Sequence, residues 1–291
     1  MRTSFPVHDP HCAYDHAHAR EGGVVAGYRD FSRPVFASSP PTVTDWMQWL
    51  LGQDVLREAA PRPAISCSLC GGAVGTMYNG TPFARCPQCR NYGNEVTALI
   101  PITYSLDEGL ESMLHRYKDF GVQWLEGPLR SLLWYFTTRH GDCVKKAYGP
   151  FDLALAVPSD NLERGFDHLE RIAAPVGGGE PPFQWRFDII SRNRAVSRPK
   201  RGELKPDAYI VTSNSVQGKS VILLDDTWTS GASIASAAAA LRHAGAQSVT
   251  ALTLGRQLNS SWTFLNNQEL VGEVRARGWG MNCVICSQRP T

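Results

Sequence analysis

The sequence predicts an α/β fold, a parallel sheet flanked by helices with a small N-terminal four-cysteine zinc ribbon ahead of it. Two aliphatic runs, residues 151–157 and 221–224, read as strands buried on both faces. They alternate with segments whose apolar residues recur at helical spacing, the order from which parallel sheets are built. Cys67-x2-Cys70-x15-Cys86-x2-Cys89 has the spacing of a tetrahedral zinc site.

The bulk numbers set the frame. A chain of 291 residues, 43% apolar, holds one substantial domain and a smaller one. Its formal charge of +2 gives no general attraction to nucleic acid or membrane. No apolar run reaches the ~18 residues of a membrane span. Arg2, His8, Asp9 and Pro10 leave no apolar leader near the start, so a cytoplasmic location is expected. Six of the eight cysteines fall in three Cys-x-x-Cys pairs, a usage that favours metal over disulfides.

The expected organisation has four parts: an arm with a short helix (1–60), a zinc ribbon (61–95), the main domain (96–270) and a tail (271–291). Residues 1–41 carry His8, His11, His16, His18 and Cys12, interrupted by Gly22-Gly23 and Ser38-Ser39-Pro40-Pro41. That composition suits an arm whose structure depends on a partner. Trp46, Trp49, Leu50 and Leu56 then mark a short amphipathic helix capped by Thr44 or Asp45, with Pro61 and Pro63 beyond it.

In residues 67–89 each Cys-x-x-Cys forms a knuckle offering two thiolates, and Gly71-Gly72 turns the chain after the first. Cys67, Cys70, Cys86 and Cys89 together close the shell of a zinc ion and leave no place for water, so the metal is structural. A redox dithiol would need a thioredoxin-like surrounding, which neither pair has. Residues 96–103 read as a strand. Leu110, Met113, Leu114 and Tyr117 follow at helical spacing, with His115, Arg116 and Lys118 as a solvated basic face. Gly127-Pro128 opens a further helix through Leu129, Leu132, Leu133 and Phe136, expected to end near Gly141.

The strand 151–157 breaks at Pro158-Ser159-Asp160, and Arg164-Gly165-Phe166 precedes the next helix. Residues 191–205 hold six basic residues against one acid. They are either a solvated loop or a basic flap over a polyanion. Residues 208–212 and 248–254 supply strands around 221–224. Cys283-x2-Cys286 near the end is half of a metal shell or an uncommitted thiol pair. The missing ligands would come from Cys12, the histidine-rich arm or a second subunit.

The chemistry concentrates after residue 224. Asp225 and Asp226 follow the strand, then Thr227, Trp228, Thr229, Ser230, Gly231, Ala232 and Ser233 lead into an Ala-rich helix closed by Gly245. Unpaired N–H groups at a helix start bind anions, and Gly231 lets the backbone approach a ligand closely. The helix dipole offers only ~0.3–1 kcal/mol at the surface. Charge-assisted hydrogen bonds of ~1.5–3 kcal/mol each would dominate. Carboxylates repel bare phosphate, so the acids must face something a few ångströms away, either sugar hydroxyls or a shared Mg²⁺. The expected ligand is a sugar phosphate, its phosphate in the turn and its diol against the acids.

This stretch resembles the phosphoribosyl-pyrophosphate signature of type I phosphoribosyltransferases. The longer order of zinc knuckles, Tyr-Lys helix, strand ending in Val-Pro, Arg-Gly-Phe and sugar-phosphate loop is similar to the ComF family of competence-associated, phosphoribosyltransferase-like proteins. The likeness covers residues 64–256. It departs at Ala156-Val157-Pro158, where the family has Pro-Val-Pro, and at Asp167, where it has Asn.

The resemblance implies a parallel sheet of the type I phosphoribosyltransferase kind and transfer of phosphoribose to a nitrogen nucleophile with loss of pyrophosphate. The transition state would be oxocarbenium-like. Asp225 and Asp226 would act on the ribose and share Mg²⁺. Val157, Pro158, Ser159, Arg164, Lys200 and Arg201 would meet the pyrophosphate. The alternative is a sensor or accessory protein that binds phosphoribosyl pyrophosphate or a nucleotide and signals to a DNA-handling partner.

Overall fold

The computed structural model describes residues 29–59, 65–159, 165–176, 179–212, 214–280 and 282–286. The four N-terminal histidines, Cys12, Asp160 and Arg164 lie outside the described residues, and with them the expectations placed on those positions.

Helix α1 (Val43–Gly52) starts at Thr42 rather than at Thr44 or Asp45. Asp45 is instead the third residue of a capping box, accepting from the Thr42 backbone while its own N–H donates to Thr42 Oγ1. The tryptophans of α1 meet the body of the protein: Trp46 stacks on Trp124 at 6.3 Å and Trp49 meets it edge-on at 5.4 Å. Gly127 makes this docking possible, since a Cβ there would sit 2.6 Å from the Trp46 ring.

The main sheet has six strands: β1 (Arg57–Glu58), β2 (Ala98–Ser105), β3 (Leu153–Ala156), β4 (Trp185–Arg186), β7 (Ser220–Trp228) and β8 (Ser248–Gln257). Their order is β1-β2-β8-β7-β3-β4, and all neighbours are parallel except the edge pair β1–β2. The α/β fold with a mostly parallel sheet is therefore as the sequence predicts. Helices α3 (Ser112–Lys118), α4 (Glu126–Tyr148) and α5 (His168–Ala173) lie on one face with α1. The four-cysteine knuckle, its short helix α2 (Pro87–Asn91) and α6 (Ala232–His243) lie on the other. Helix α7 (Asn267–Ala276) follows β8. The quartet itself comes after α1 and β1, so the four-cysteine unit sits inside the chain order rather than at its N-terminus.

Two elements depart from expectation. Residues 208–212 do not join the main sheet: β6 (Tyr209–Val211) pairs antiparallel with β5 (Ile190–Arg192) in a separate two-stranded sheet. Helix α4 runs past Gly141 to Tyr148 and ends at Gly149, whose φ of 97° ends the helix. A mid-helix glycine costs ~1 kcal/mol. Gly141 is kept because Pro182 and Phe183 pack directly over it, with Pro182 Cβ 3.5 Å from where its Cβ would be. Among the described residues, no helix is long and apolar enough to cross a membrane.

His115 on α3 is half-buried between two carboxylates, Nδ1 at 2.6 Å from Asp119 and Nε2 at 3.1 Å from Glu111. Burial opposes its charge, but the two acids outweigh that and raise its pKa to about 9. A raised folded-state pKa gives stability that is complete below the unfolded value of ~6.5 and lost as pH rises through about 9. Denaturant midpoints taken from pH 6 to 10 are expected to fall across that window in the parent chain. In His115→Gln they should stay nearly flat. Parallel profiles would refute the assignment.

Candidate functional site

The carboxyl ends of β3 and β7 form one rim, because β3 and β7 are adjacent and parallel and Ala156 lies beside Leu224. Val157 N–H donates to Leu224 O at 2.9 Å and carries the turn 157–159 along this rim. The strand β7 does not stop at Leu224. It continues through Asp225, Asp226, Thr227 and Trp228, with Asp225 opposite Thr253 and Thr227 opposite Gly255 of β8. The acids thus belong to the strand, and alternation sends successive side chains to opposite faces.

Asp226 points into the helical face and is buried, at 9% exposed. Its Oδ2 accepts from Lys118 Nζ at 2.6 Å and lies 3.0 Å from His168 Nε2. Burial alone would raise the Asp226 pKa; Lys118 and His168 outweigh it and hold the carboxyl well below the usual range. Lys118 answers in kind: its burial is outweighed by Asp226, and its pKa is raised. Asp225 has the opposite environment. Burial, followed by the charge of Asp226, pushes its pKa well up, although its Oδ1 accepts the Asp226 N–H at 2.8 Å. Neighbouring carboxyls are thus driven apart, one ionised against a lysine and a histidine, the other held toward its acid form.

His168 is placed by α5, whose N-cap is Asp167: Oδ1 accepts from the N–H groups of Leu169 at 2.8 Å and Glu170 at 3.2 Å. Asp and Asn cap helices about equally well, so the Asp167 departure leaves this architecture intact. Phe166 packs between Tyr117 and Arg171 beside it, 5.7 Å from the Tyr117 ring centroid. Sequence reasoning missed both Lys118 and His168. The first resembles one more surface base, and neither lies near Asp226 in sequence.

After Trp228 the chain turns through Thr229, Ser230 and Gly231 into α6. Gly231 has φ 82°, and a Cβ there would lie 2.3 Å from the Trp228 ring, so glycine is required twice over. Ala232 N–H reaches Ser230 Oγ at 3.4 Å, and Ser233 stands half-buried in the first turn. The side chain of Trp228, a position expected among the ligand contacts, is turned away into the core. It is 1% exposed and packs on Tyr92 with centroids 6.4 Å apart, leaving only its backbone to the turn.

The turn is braced from the four-cysteine knuckle. Arg256, buried on β8, donates to Cys70 O at 2.7 Å, Trp228 O at 3.1 Å and Thr229 O at 3.3 Å. Tyr92 donates to Ser230 O at 2.9 Å and accepts the Gly202 N–H at 3.3 Å. Cys67, Cys70, Cys86 and Cys89 are buried, and their sulfur atoms lie within 4.8 Å of one another. Gly72 N–H approaches Cys70 Sγ at 3.4 Å, as backbone amides do in metal knuckles. Four soft donors in a closed, buried set fit a structural Zn²⁺.

A cavity of about 260 Å³ opens at the rim, lined by Val157, Pro158, Ser159, Asp167, Arg192 and Arg194 among others. Arg192, Arg194 and Arg198 line a second space of about 260 Å³ beside it. The basic stretch is therefore divided. Its first arginines border the rim cavity. Arg201 is stacked 4.1 Å over Trp262, and the Lys200 N–H is bonded to Glu203. Neither Lys200 nor Arg201 lines either cavity. Asp226 Oδ2 is already engaged by the Lys118 ammonium at 2.6 Å, which makes the acid pair a poor ready-made cradle for a resident Mg²⁺.

No family model matches the chain, and no curated protein matches it. Among solved structures, a phosphoribosyltransferase from Corynebacterium diphtheriae is similar over 66% of this chain and 92% of that one. The two are 14% identical, with a TM-score of 0.28, a likeness that carries no argument about ligand or reaction.

Proposed function

We propose that this chain binds a sugar phosphate at the rim of β3 and β7, and that the ligand is phosphoribosyl pyrophosphate carried as its Mg²⁺ complex. The reading rests on one juxtaposition. The Thr229–Ser230–Gly231 turn and the start of α6 sit at the end of the strand that carries Asp225 and Asp226. The arginine-lined cavity opens on the neighbouring strand's turn. The turn and α6 would take the ribose phosphate, Asp225 a sugar hydroxyl, and Arg192 and Arg194 the pyrophosphate with Ser159. Mg²⁺ arrives with the diphosphate and is part of the substrate.

A nitrogen nucleophile at the anomeric carbon would displace pyrophosphate through an oxocarbenium-like state. The protein's own residues would supply the charge that receives the leaving group. Full-chain calorimetry with phosphoribosyl pyrophosphate is expected to show binding that needs Mg²⁺ and weakens about tenfold in Asp225→Asn, the loss of the hydrogen bond to a sugar hydroxyl. Equal affinity in parent and variant would refute the site.

The Lys118–Asp226–His168 contact favours a second reading, a binding protein without turnover. A carboxylate held by two partners is slow to turn toward a ligand. On that reading the chain reports ligand levels to a DNA-handling partner. Binding without pyrophosphate release, across a panel of nucleobases and amines, would select it; release with any acceptor would exclude it.

A further inference from the structure

We propose that His140, Cys143, Cys283 and Cys286 form a second zinc site, separate from the Cys67–Cys89 quartet, which staples the C-terminal segment to α4. The four donor atoms lie within 4.8 Å of one another. Cys286 Sγ is 3.2 Å from Cys283 Sγ, 3.3 Å from Cys143 Sγ and 3.5 Å from His140 Nδ1. Its two halves come from distant parts of the sequence. His140 and Cys143 are three residues apart on α4, the spacing that puts two side chains on one helix face. Cys283 and Cys286 form a Cys-x-x-Cys knuckle, with Cys286 N–H at 3.3 Å from Cys283 Sγ. The first knuckle has the same contact, Cys70 N–H at 3.5 Å from Cys67 Sγ.

The donor set selects the metal. Three thiolates and one imidazole are a recurring shell of structural zinc, with no oxygen donor to favour a harder cation. Zn–S bonds of ~2.3 Å at tetrahedral angles put sulfurs ~3.8 Å apart. The ion would spread the Cys286–Cys283 and Cys286–Cys143 pairs by about half an ångström. The separations of 3.2 and 3.3 Å are too long for disulfide bonds, whose sulfurs lie at ~2.05 Å. The ligands are also carried by packed structure. His140 is 8% exposed and Cys283 1%, Val284 between the knuckle cysteines is buried, and Trp279 rests on Tyr135 of α4 at 5.8 Å. Zinc would thus close the long loop from Cys143 to Cys283 with a shell that leaves no coordination position for substrate.

Elemental analysis of the full chain, purified from zinc-supplemented medium, is expected to give two zinc ions per chain. Cys283→Ser with Cys286→Ser should lower this to one. His140→Cys should keep two. In the Co²⁺-substituted protein it should move the charge-transfer spectrum from a mixture of three-thiolate and four-thiolate patterns to the four-thiolate pattern alone. The parent result needs no variant to fold. One zinc per chain in the parent would overturn the proposal. So would two zinc ions retained in the double serine variant, or a Cys143, Cys283 or Cys286 disulfide found by thiol titration of the zinc-replete protein.

Discussion

Asp226→Asn is expected to destabilise the chain by about 3 kcal/mol, whereas Asp225→Asn is expected to stabilise it while weakening ligand binding. The asymmetry follows from what each carboxyl faces. Removing the Asp226 charge leaves the Lys118 ammonium buried beside a neutral amide, and breaking a buried pair costs about 3–5 kcal/mol. The lower end applies because the two side chains keep 13% and 17% of their exposure.

Asp225 is in the opposite position. Burial and the Asp226 charge disfavour its ionised form, and Asn still accepts the Asp226 N–H. Relief of such strain at functional sites is worth about 0.5–2 kcal/mol. Urea unfolding followed by tryptophan fluorescence measures both changes. Equal destabilisation by the two variants would show that the pair does not divide its roles this way.

The pH profiles carry opposite signs. Asp226 has a folded pKa below the unfolded ~3.9, so its stabilisation is complete above that pH and is lost as pH falls through the folded value. The fold holds the Asp225 proton above ~3.9, so its penalty is absent below that pH and grows as pH rises toward the folded value. Asp225→Asn should therefore gain most near neutral pH and nothing in acid. Lys118→Met in the Asp226→Asn background should recover much of the loss, since it removes the orphaned charge.

Features legible in the sequence were local ones. Consecutive aliphatic residues gave β2 and β7, Ala-rich spacing and Gly231 gave α6, and two Cys-x-x-Cys pairs gave a buried quartet. Each pattern is complete within about 30 residues, so periodicity or ligand spacing reports it directly. Long-range pairing was not legible. Lys118 and His168 meet Asp226 from 108 and 58 residues away, and His140 meets Cys286 across 146.

A His-x-x-Cys inside a helix has no turn residues to mark it, so the Cys283 pair lacked visible partners until α4 was in place. Residues 208–212 were assigned to the wrong sheet for a related reason: alternation identifies a strand but not its neighbour. The burial of the Trp228 side chain did carry a sequence-level signal. A large aromatic in place of a small aliphatic residue argues for burial, and Tyr92 and Gly231 provide it.

Loss of the zinc we propose for the quartet is expected to loosen the 229–231 turn as well as the knuckle that would hold the ion. Cys86→Ser removes one ligand of four, and structural zinc contributes on the order of 10 kcal/mol or more in small zinc folds. Arg256 ties Cys70 O to Trp228 O and Thr229 O, so displacement of the knuckle removes one end of the brace on the turn. Tyr92, three residues after Cys89, holds Ser230 O and receives Gly202 N–H, which extends the effect to the basic segment.

Cys86→Ser should release one zinc per chain and raise amide exchange not only in residues 67–92 but also in 228–233 and near Gly202. Affinity for phosphoribosyl pyrophosphate should fall at least tenfold with the Asp225 and Asp226 side chains unaltered. A control separates this coupling from general unfolding. Arg256→Met keeps the quartet, so it should retain zinc yet show the same faster exchange at 228–233. If Arg256→Met leaves exchange there unchanged, the knuckle and the turn share a core without sharing a brace.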